Sequence, residues 1–346
     1  MHIVIKSFVP LSLFCLTIMS CRPARIPNEA VTLKEAIFGC GEYEIGMSGS
    51  HFDPYTGIGS VGEMLAFVRA DTLYIKPGVR SLPVSKLALT VKSMISRPDE
   101  LLIAAEEGIY RLDANLKLEL LLERAVTDIA LGPDNELLFI DDKASPFRVF
   151  AFNRSTQEVR PYTVAYQTNF GAVPVELIVS EEGSIWIRNE QNNLIRYSTP
   201  DSFFVYEGEN ALEAHLEGFT SVTLIDSPDG LLAWLKQDDQ FVFLYQFVAG
   251  EWEQLYFSDL RMTAGLDALM RFAEPSNMLL LDRSLYLGSN KGMIRFRLGE
   301  PGTRVAEYDI INDPAFVWQS ITHLHQKEPN LYYFINGSRQ IEIDCR

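Results

Sequence analysis

Long apolar runs are almost absent from this chain of 346 residues. One stretch stands out, Phe8 to Met19, preceded by a single Lys6. It is too short to span a bilayer stably and has the shape of an export leader. No other segment is a transmembrane candidate. Basic runs are missing too. Lys and Arg number 30 against 46 Asp and Glu, a net charge of −16. Nucleic-acid affinity rests on phosphate neutralisation, so that class of partner is excluded. The acidity implies a well-solvated surface and allows a cationic or calcium-binding partner. No nucleophile elbow, zinc spacing, dinucleotide loop or phosphate loop is present. The reading therefore includes no cofactor, no metal and no catalytic residue. Histidine (5) and cysteine (4) are scarce. His323 and His325 lie two apart on one strand, hence on one face. They could supply two metal ligands, but with no third in view a packed or hydrogen-bonded pair is expected.

What the chain has in quantity is a repeated phrase. An apolar doublet or triplet, a turn and a second alternating strand recur at Leu65, Leu101, Leu137, Ile185, Leu232, Leu285 and Leu331. The spacings are 36, 36, 48, 47, 53 and 46 residues. A further run precedes each anchor, as in Val126–Ala130, Val175–Val179, Val222–Asp226 and Ile321–His325. Another follows, as in Leu116–Leu122, Phe203–Tyr206, Trp252–Phe257 and Val305–Asp309. Pro-Asp turns at Pro98-Asp99 and Pro228-Asp229 separate the first two runs, with proline presetting φ and aspartate accepting local backbone bonds. Four short antiparallel strands with a period of about 40–50 residues predict an all-β fold, a β-propeller of seven four-stranded blades. A β-sandwich is the alternative. The ordered repetition of the whole four-strand phrase disfavours it.

The last unit runs out early. Leu331–Ile335 and Gln340–Asp344 are its second and third strands, and no fourth follows. An unpaired strand there would be an exposed edge. The alternating segment Glu42–Met47 is expected to supply the missing outer strand and close the ring. Cys40 begins that segment and Cys345 ends its partner, so a Cys40–Cys345 disulfide is expected, with two free buried thiols as the alternative. It would close a loop of 305 residues, worth roughly 5–6 kcal/mol in the chain-entropy model.

The leader ends Ile18-Met19-Ser20-Cys21. This resembles the lipobox of bacterial lipoproteins, with a small residue before the cysteine. The resemblance implies cleavage and lipidation at Cys21, and Arg22 after it implies the outer membrane, on its periplasmic or its surface side. An ordinary secreted protein is the alternative. The expected organisation is a signal peptide over 1–20, a lipidated tether over 21–39 and the propeller, as a monomeric ring, over 40–346.

Loops on a rigid scaffold carry function. The loops between second and third strands hold Asp141-Asp142-Lys143, Glu190, Gln191, Asn192, Asp238, Asp239 and Asn290. The blade-to-blade connections add Phe316 and Trp318. Carboxylates, amides and aromatics together suit a protein-contact or polar-ligand face. The phrases Glu181-Glu182-Gly183-Ser184-Ile185-Trp186-Ile187 and Leu285 to Phe296 resemble the repeats of two-component-regulator-type propellers, which are extracytoplasmic sensor blades. The resemblance implies a binding ring. This chain lacks the kinase and DNA-binding regions that carry that family's output. The expectation is an envelope lipoprotein that binds a partner protein or an extracellular ligand without catalysis. The alternative is a propeller hydrolase or lyase of the lactonase or streptogramin-lyase kind, with His323, Glu190 and Asp238 at the channel mouth.

Overall fold

The structure is a computed structural model. It describes residues 44–48, 54–132, 135–141, 147–165, 173–180, 182–190, 193–206, 221–237, 240–259, 278–289, 292–305, 308–311, 321–329, 331–336 and 339–345. Among them the chain forms seven four-stranded antiparallel sheets, the predicted propeller. The closing strand is β1 (Glu44–Ser48). Blade 1 is β2 (Gly57–Val61), β3 (Met64–Arg69), β4 (Thr72–Lys76) and β5 (Ser85–Ala88). Blade 2 is β6 (Val91–Ser96), β7 (Glu100–Ala105), β8 (Ile109–Asp113) and β9 (Leu118–Leu122). Blade 3 is β10 (Val126–Leu131), β11 (Leu137–Asp141), β12 (Val149–Asn153) and β13 (Glu158–Pro161). Blade 4 is β14 (Pro174–Val179), β15 (Ile185–Asn189), β16 (Leu194–Thr199) and β17 (Ser202–Tyr206). Blade 5 is β18 (Ser221–Ile225), β19 (Leu232–Gln237), β20 (Phe241–Val248) and β21 (Glu251–Asp259). Blade 6 is β22 (Met278–Leu281), β23 (Ser284–Ser289), β24 (Gly292–Arg297) and β25 (Tyr308–Ile311). Blade 7 is β26 (Ile321–Glu328), β27 (Leu331–Asn336) and β28 (Arg339–Asp344), completed by β1.

The β1–β28 pairing is antiparallel, from Glu44 opposite Asp344 to Ser48 opposite Gln340. The ring is thus closed by the N-terminal strand, which begins two residues and ends one residue further along than Glu42–Met47. Other boundaries shift for local reasons. Leu116 has φ +64° and belongs to a turn, so the outer strand of blade 2 starts at Leu118. Gly288 lies inside β23, not in the following turn. A Cβ there would stand 1.9 Å from the carbonyl oxygen of Ile321 on blade 7, a backbone approach that only glycine permits. Asp282-Arg283 and Ala249-Gly250 are two-residue hairpin loops with positive φ at both positions, the mirror-image turn that matches strand twist.

The core is divided into seven parts, one per blade interface. Val61, Val68, Leu101 and Ile103 join blades 1 and 2. Leu102, Ala104, Leu137 and Phe139 join 2 and 3. Leu138, Ile140, Ile185 and Ile187 join 3 and 4. Trp186, Ala233 and Leu235 join 4 and 5. Trp234, Leu285 and Leu287 join 5 and 6. Tyr286, Tyr332 and Phe334 join 6 and 7. Leu331, Tyr333, Leu65 and Phe67 close the circle from 7 to 1. Second strands are therefore apolar on both faces, which is why they read as continuous apolar runs.

That two-sidedness hides one feature of the repeat. Leu65, Leu101, Leu137, Ile185 and Leu285 point toward the preceding blade, whereas Leu232 and Leu331 point toward the following one. Ala233 and Tyr332 hold the equivalent orientation. A one-residue slip exchanges the faces of a strand, and two apolar faces leave no mark of it in the sequence.

Candidate functional site

The loops between second and third strands, and the blade-to-blade connections, leave from one end of the ring, here the loop end. The first–second and third–fourth turns leave from the other, the hairpin end. At the loop end four inner strands carry bulges, between Val91 and Ser93, Val126 and Asp128, Pro174 and Glu176, and Ile321 and His323. A bulge inserts one residue and re-aims its neighbours. Here it presents Ser93, Asp128, Glu176 and His323 at corresponding positions of four blades.

Asp128 is buried. Its Oδ1 accepts the Ile129 N–H at 2.8 Å and its Oδ2 accepts the Leu177 N–H of blade 4 at 2.7 Å. Burial pushes its carboxyl up to about 6, and Glu176 pushes the same way. The Ser93 hydroxyl and the two backbone N–H groups oppose this. Glu176 is paired with Arg188 at 2.7 Å. Other polar contacts link inner strands around the wall. The Ser60 N–H donates to Ser96 Oγ at 2.9 Å, and His325 Nε2 meets Ser60 Oγ at 3.0 Å. Blades 7, 1 and 2 are thus latched in succession along the channel side, as are blades 3 and 4.

His323 and His325 are both part of this wall. Burial brings each down to about 4. A backbone hydrogen bond with Thr56 opposes the fall at His323, and the Lys327 charge adds to it at His325. His323 Nδ1 also lies 2.9 Å from Thr322 Oγ1. The pair is packed and hydrogen-bonded, as the sequence reading expects. Among the described residues no three His, Cys, Asp or Glu side chains converge as a metal site would need.

These groups set a pH dependence. Each histidine drops from 6.5 to about 4 on folding, so the unfolded chain binds protons that the folded ring does not. Stability from this source is fully present above pH 6.5 and is lost as pH falls toward 4. Asp128 has the opposite sign. Raised from 3.8 to about 6, it contributes stability below its ordinary value that is lost as pH rises through 6. Two histidines outweigh one aspartate, so the urea midpoint falls between pH 6.5 and 4.5. A carbon-detected NMR titration is expected to place the Asp128 carboxyl near 6. A midpoint at or below the ordinary 3.8 would contradict this account of Asp128.

Three second strands end in buried polar residues at the loop end, Asp141, Asn189 and Ser289, and in a fourth the buried Lys236 is the last residue but one. Asp141 pairs with Arg124 at 2.8 Å, and that guanidinium lies over Phe150. Asn189 Oδ1 accepts the Asn193 N–H at 2.9 Å, while the Glu190 N–H donates to the Val173 carbonyl at 2.9 Å. The Glu190 N–H is thus anchored on Val173, next to an Asn189–Asn193 bond, and its side chain is exposed. Of the residues singled out from sequence, Asp141, Glu190, His323, His325 and Cys345 are described here. Cys345 directly follows β28 and packs against the core of blades 6 and 7. Gln191, Asn192, Asp238, Asp239, Asn290, Phe316, Trp318, Cys21 and Cys40 lie outside the described residues. Asp128 escaped the sequence reading. Its only signal is an acidic residue inside an otherwise apolar inner strand.

No protein-family model matches the sequence, and no curated protein is significantly similar to it. Solved structures do match. A structure of YCF48 bound to D1 peptide aligns with TM-score 0.58 at 12% identity, over 87% of this chain and 96% of the other. YCF48 from Cyanidioschyzon merolae aligns at 0.58 and 9%, over 87% and 98%. The Pan2 WD40 domain of Neurospora crassa aligns at 0.57 and 9%, over 87% and 94%. At such identities the likeness is one of architecture, and the chain is a seven-bladed β-propeller.

Proposed function

We propose that the protein is an extracytoplasmic lipoprotein of the bacterial outer membrane, anchored through Cys21, whose ring binds a partner protein or ligand at its loop end without catalysis. The observation that carries this reading is Glu190, an exposed carboxylate whose backbone N–H is held by the Val173 carbonyl. With the backbone fixed, a partner has only the side chain left to order. The polar bases at Asp141, Asn189, Lys236 and Ser289 support the same face. A propeller of like fold was solved with a peptide bound, which fits a protein or peptide partner here. The reading extends to Gln191, Asn192, Asp238, Asp239, Asn290, Phe316 and Trp318 on the connections of that end, and to a Cys40–Cys345 disulfide beside the closing strand.

Cross-linking in native envelopes, followed by capture of the mature protein, tests this reading. The expected result is one near-stoichiometric envelope protein, lost when Glu190, Gln191 and Asn192 are changed to alanine. Unchanged recovery from that variant would move the interface elsewhere, and recovery of nothing specific would remove the protein partner. The intact mass of the same material reports acyl chains on Cys21 and the two hydrogens lost to a disulfide.

A further inference from the structure

At the hairpin end, between blades 2 and 3, three arginines converge on one buried carboxylate. Glu100 opens β7 and is 4% exposed. Its Oε1 pairs with Arg154 Nη1 at 2.5 Å and lies 3.6 Å from Arg97 Nη1, and its Oε2 pairs with Arg111 Nε at 3.0 Å. One negative charge thus faces three positive ones, and both of its oxygens are taken. Each guanidinium carries five N–H donors. Arg97 Nη1 also donates to Asn135 Oδ1 at 3.0 Å, and Arg111 Nη1 reaches the exposed Glu119 at 3.8 Å. Among the described residues, the second terminal nitrogens of Arg97 and Arg154 have no acceptor. These groups line a cavity of about 400 Å³, with Ser155 and Gln157 on the blade 3 side.

We propose that this cavity binds a small oxyanion, a carboxylate or a phosphate monoester, held by Arg97 and Arg154. Guanidiniums take such groups through paired, charge-assisted hydrogen bonds. Glu100 fixes the three side chains in place, so the binding edge is formed before the ligand arrives. The acidic surface does not prevent this, because exposed charges are screened beyond about 8 Å at physiological salt. Asp99 and Glu119 at the rim select a ligand whose remainder is neutral or cationic. The site is at the opposite end of the ring from Glu190 and stands independently of the partner-binding reading.

The test uses the full-length protein with inorganic phosphate and acetate as probes, against chloride at constant ionic strength. Melting temperature and phosphorus NMR line width are the readouts. Phosphate or acetate is expected to raise the wild-type melting temperature above the chloride control. The larger response identifies which oxyanion class the site prefers. R97Q and R154Q are each expected to weaken binding at least tenfold. The E100Q variant leaves Arg97 and Arg154 without their counter-charge, while Arg111 keeps Glu119. It is expected to bind the anion more tightly and to be stabilised by it more than wild type is. If E100Q does not fold without anion, R154Q decides alone. No response beyond chloride in wild type, or an R154Q response equal to wild type, overturns the proposal and leaves the cluster as an inter-blade staple.

Discussion

Removing residues 44–48 opens the ring. The expected outcome is loss of most of the folding free energy, on the order of the whole 5–15 kcal/mol of a typical domain. Five residue pairs join β1 to β28, and without them β28 becomes a bare edge. The damage spreads because blade 7 holds two of the seven cores, one shared with blade 6 and one with blade 1. An unfinished sheet weakens both. Urea unfolding of the truncated chain is expected to show a collapsed midpoint, with association through the exposed strand. Appending the same five residues after Arg346 through a flexible linker is expected to restore the midpoint. A truncated protein that unfolds at the wild-type urea concentration would show that β1 does not hold the ring shut.

The second large effect is expected at Trp186. Its ring is 1% exposed between blades 4 and 5. It meets Phe247 edge-on at 4.8 Å and Trp252 at 5.6 Å, and the Arg196 guanidinium lies over it. W186A removes a large buried surface and leaves a cavity that rigid sheets on both sides cannot fill. The expected cost is about 3–5 kcal/mol. W186F keeps the edge contacts and is expected to lose less than half of that. Arg196 also lies over Phe247, so it retains one aromatic partner in either variant. Denaturant midpoints at constant slope give both numbers. A loss below about 1 kcal/mol for W186A would mean that blades 4 and 5 are held together by other contacts.

The architecture was legible because a propeller repeats its turn chemistry as well as its strands. Leu65, Leu101, Leu137, Ile185 and Leu285 each mark the second strand of a blade with the same orientation. The closing strand was legible from a deficit, since the seventh unit lacks an outer strand and Glu44–Ser48 supplies it. Strand parity was not. Leu232 and Leu331 sit among neighbours that are apolar on both faces, so no polar residue reports which face is which. Contacts between blades were invisible for a different reason. Asp128 meets the Leu177 N–H, and Arg154 meets Glu100, across sequence gaps that only the ring brings together. Of the candidate loop-end site, the polar character of 189–193 could be read directly. The fixing of the Glu190 backbone by Val173 could not, because that bond is made by a main-chain carbonyl whose identity leaves no trace in side chains.

The closing strand also decides how the ring bears load. Tension arriving from the N-terminal side enters β1 at Glu44, and Glu44 faces Asp344 at the outermost rung of the ladder. Force applied there peels the strand one rung at a time. It does not shear all five together, so the seam yields at a force set by single pairs. A covalent bridge from Cys40 to Cys345 would lie just outside that first rung. It would carry the tension directly into β28 and leave the ladder unstressed.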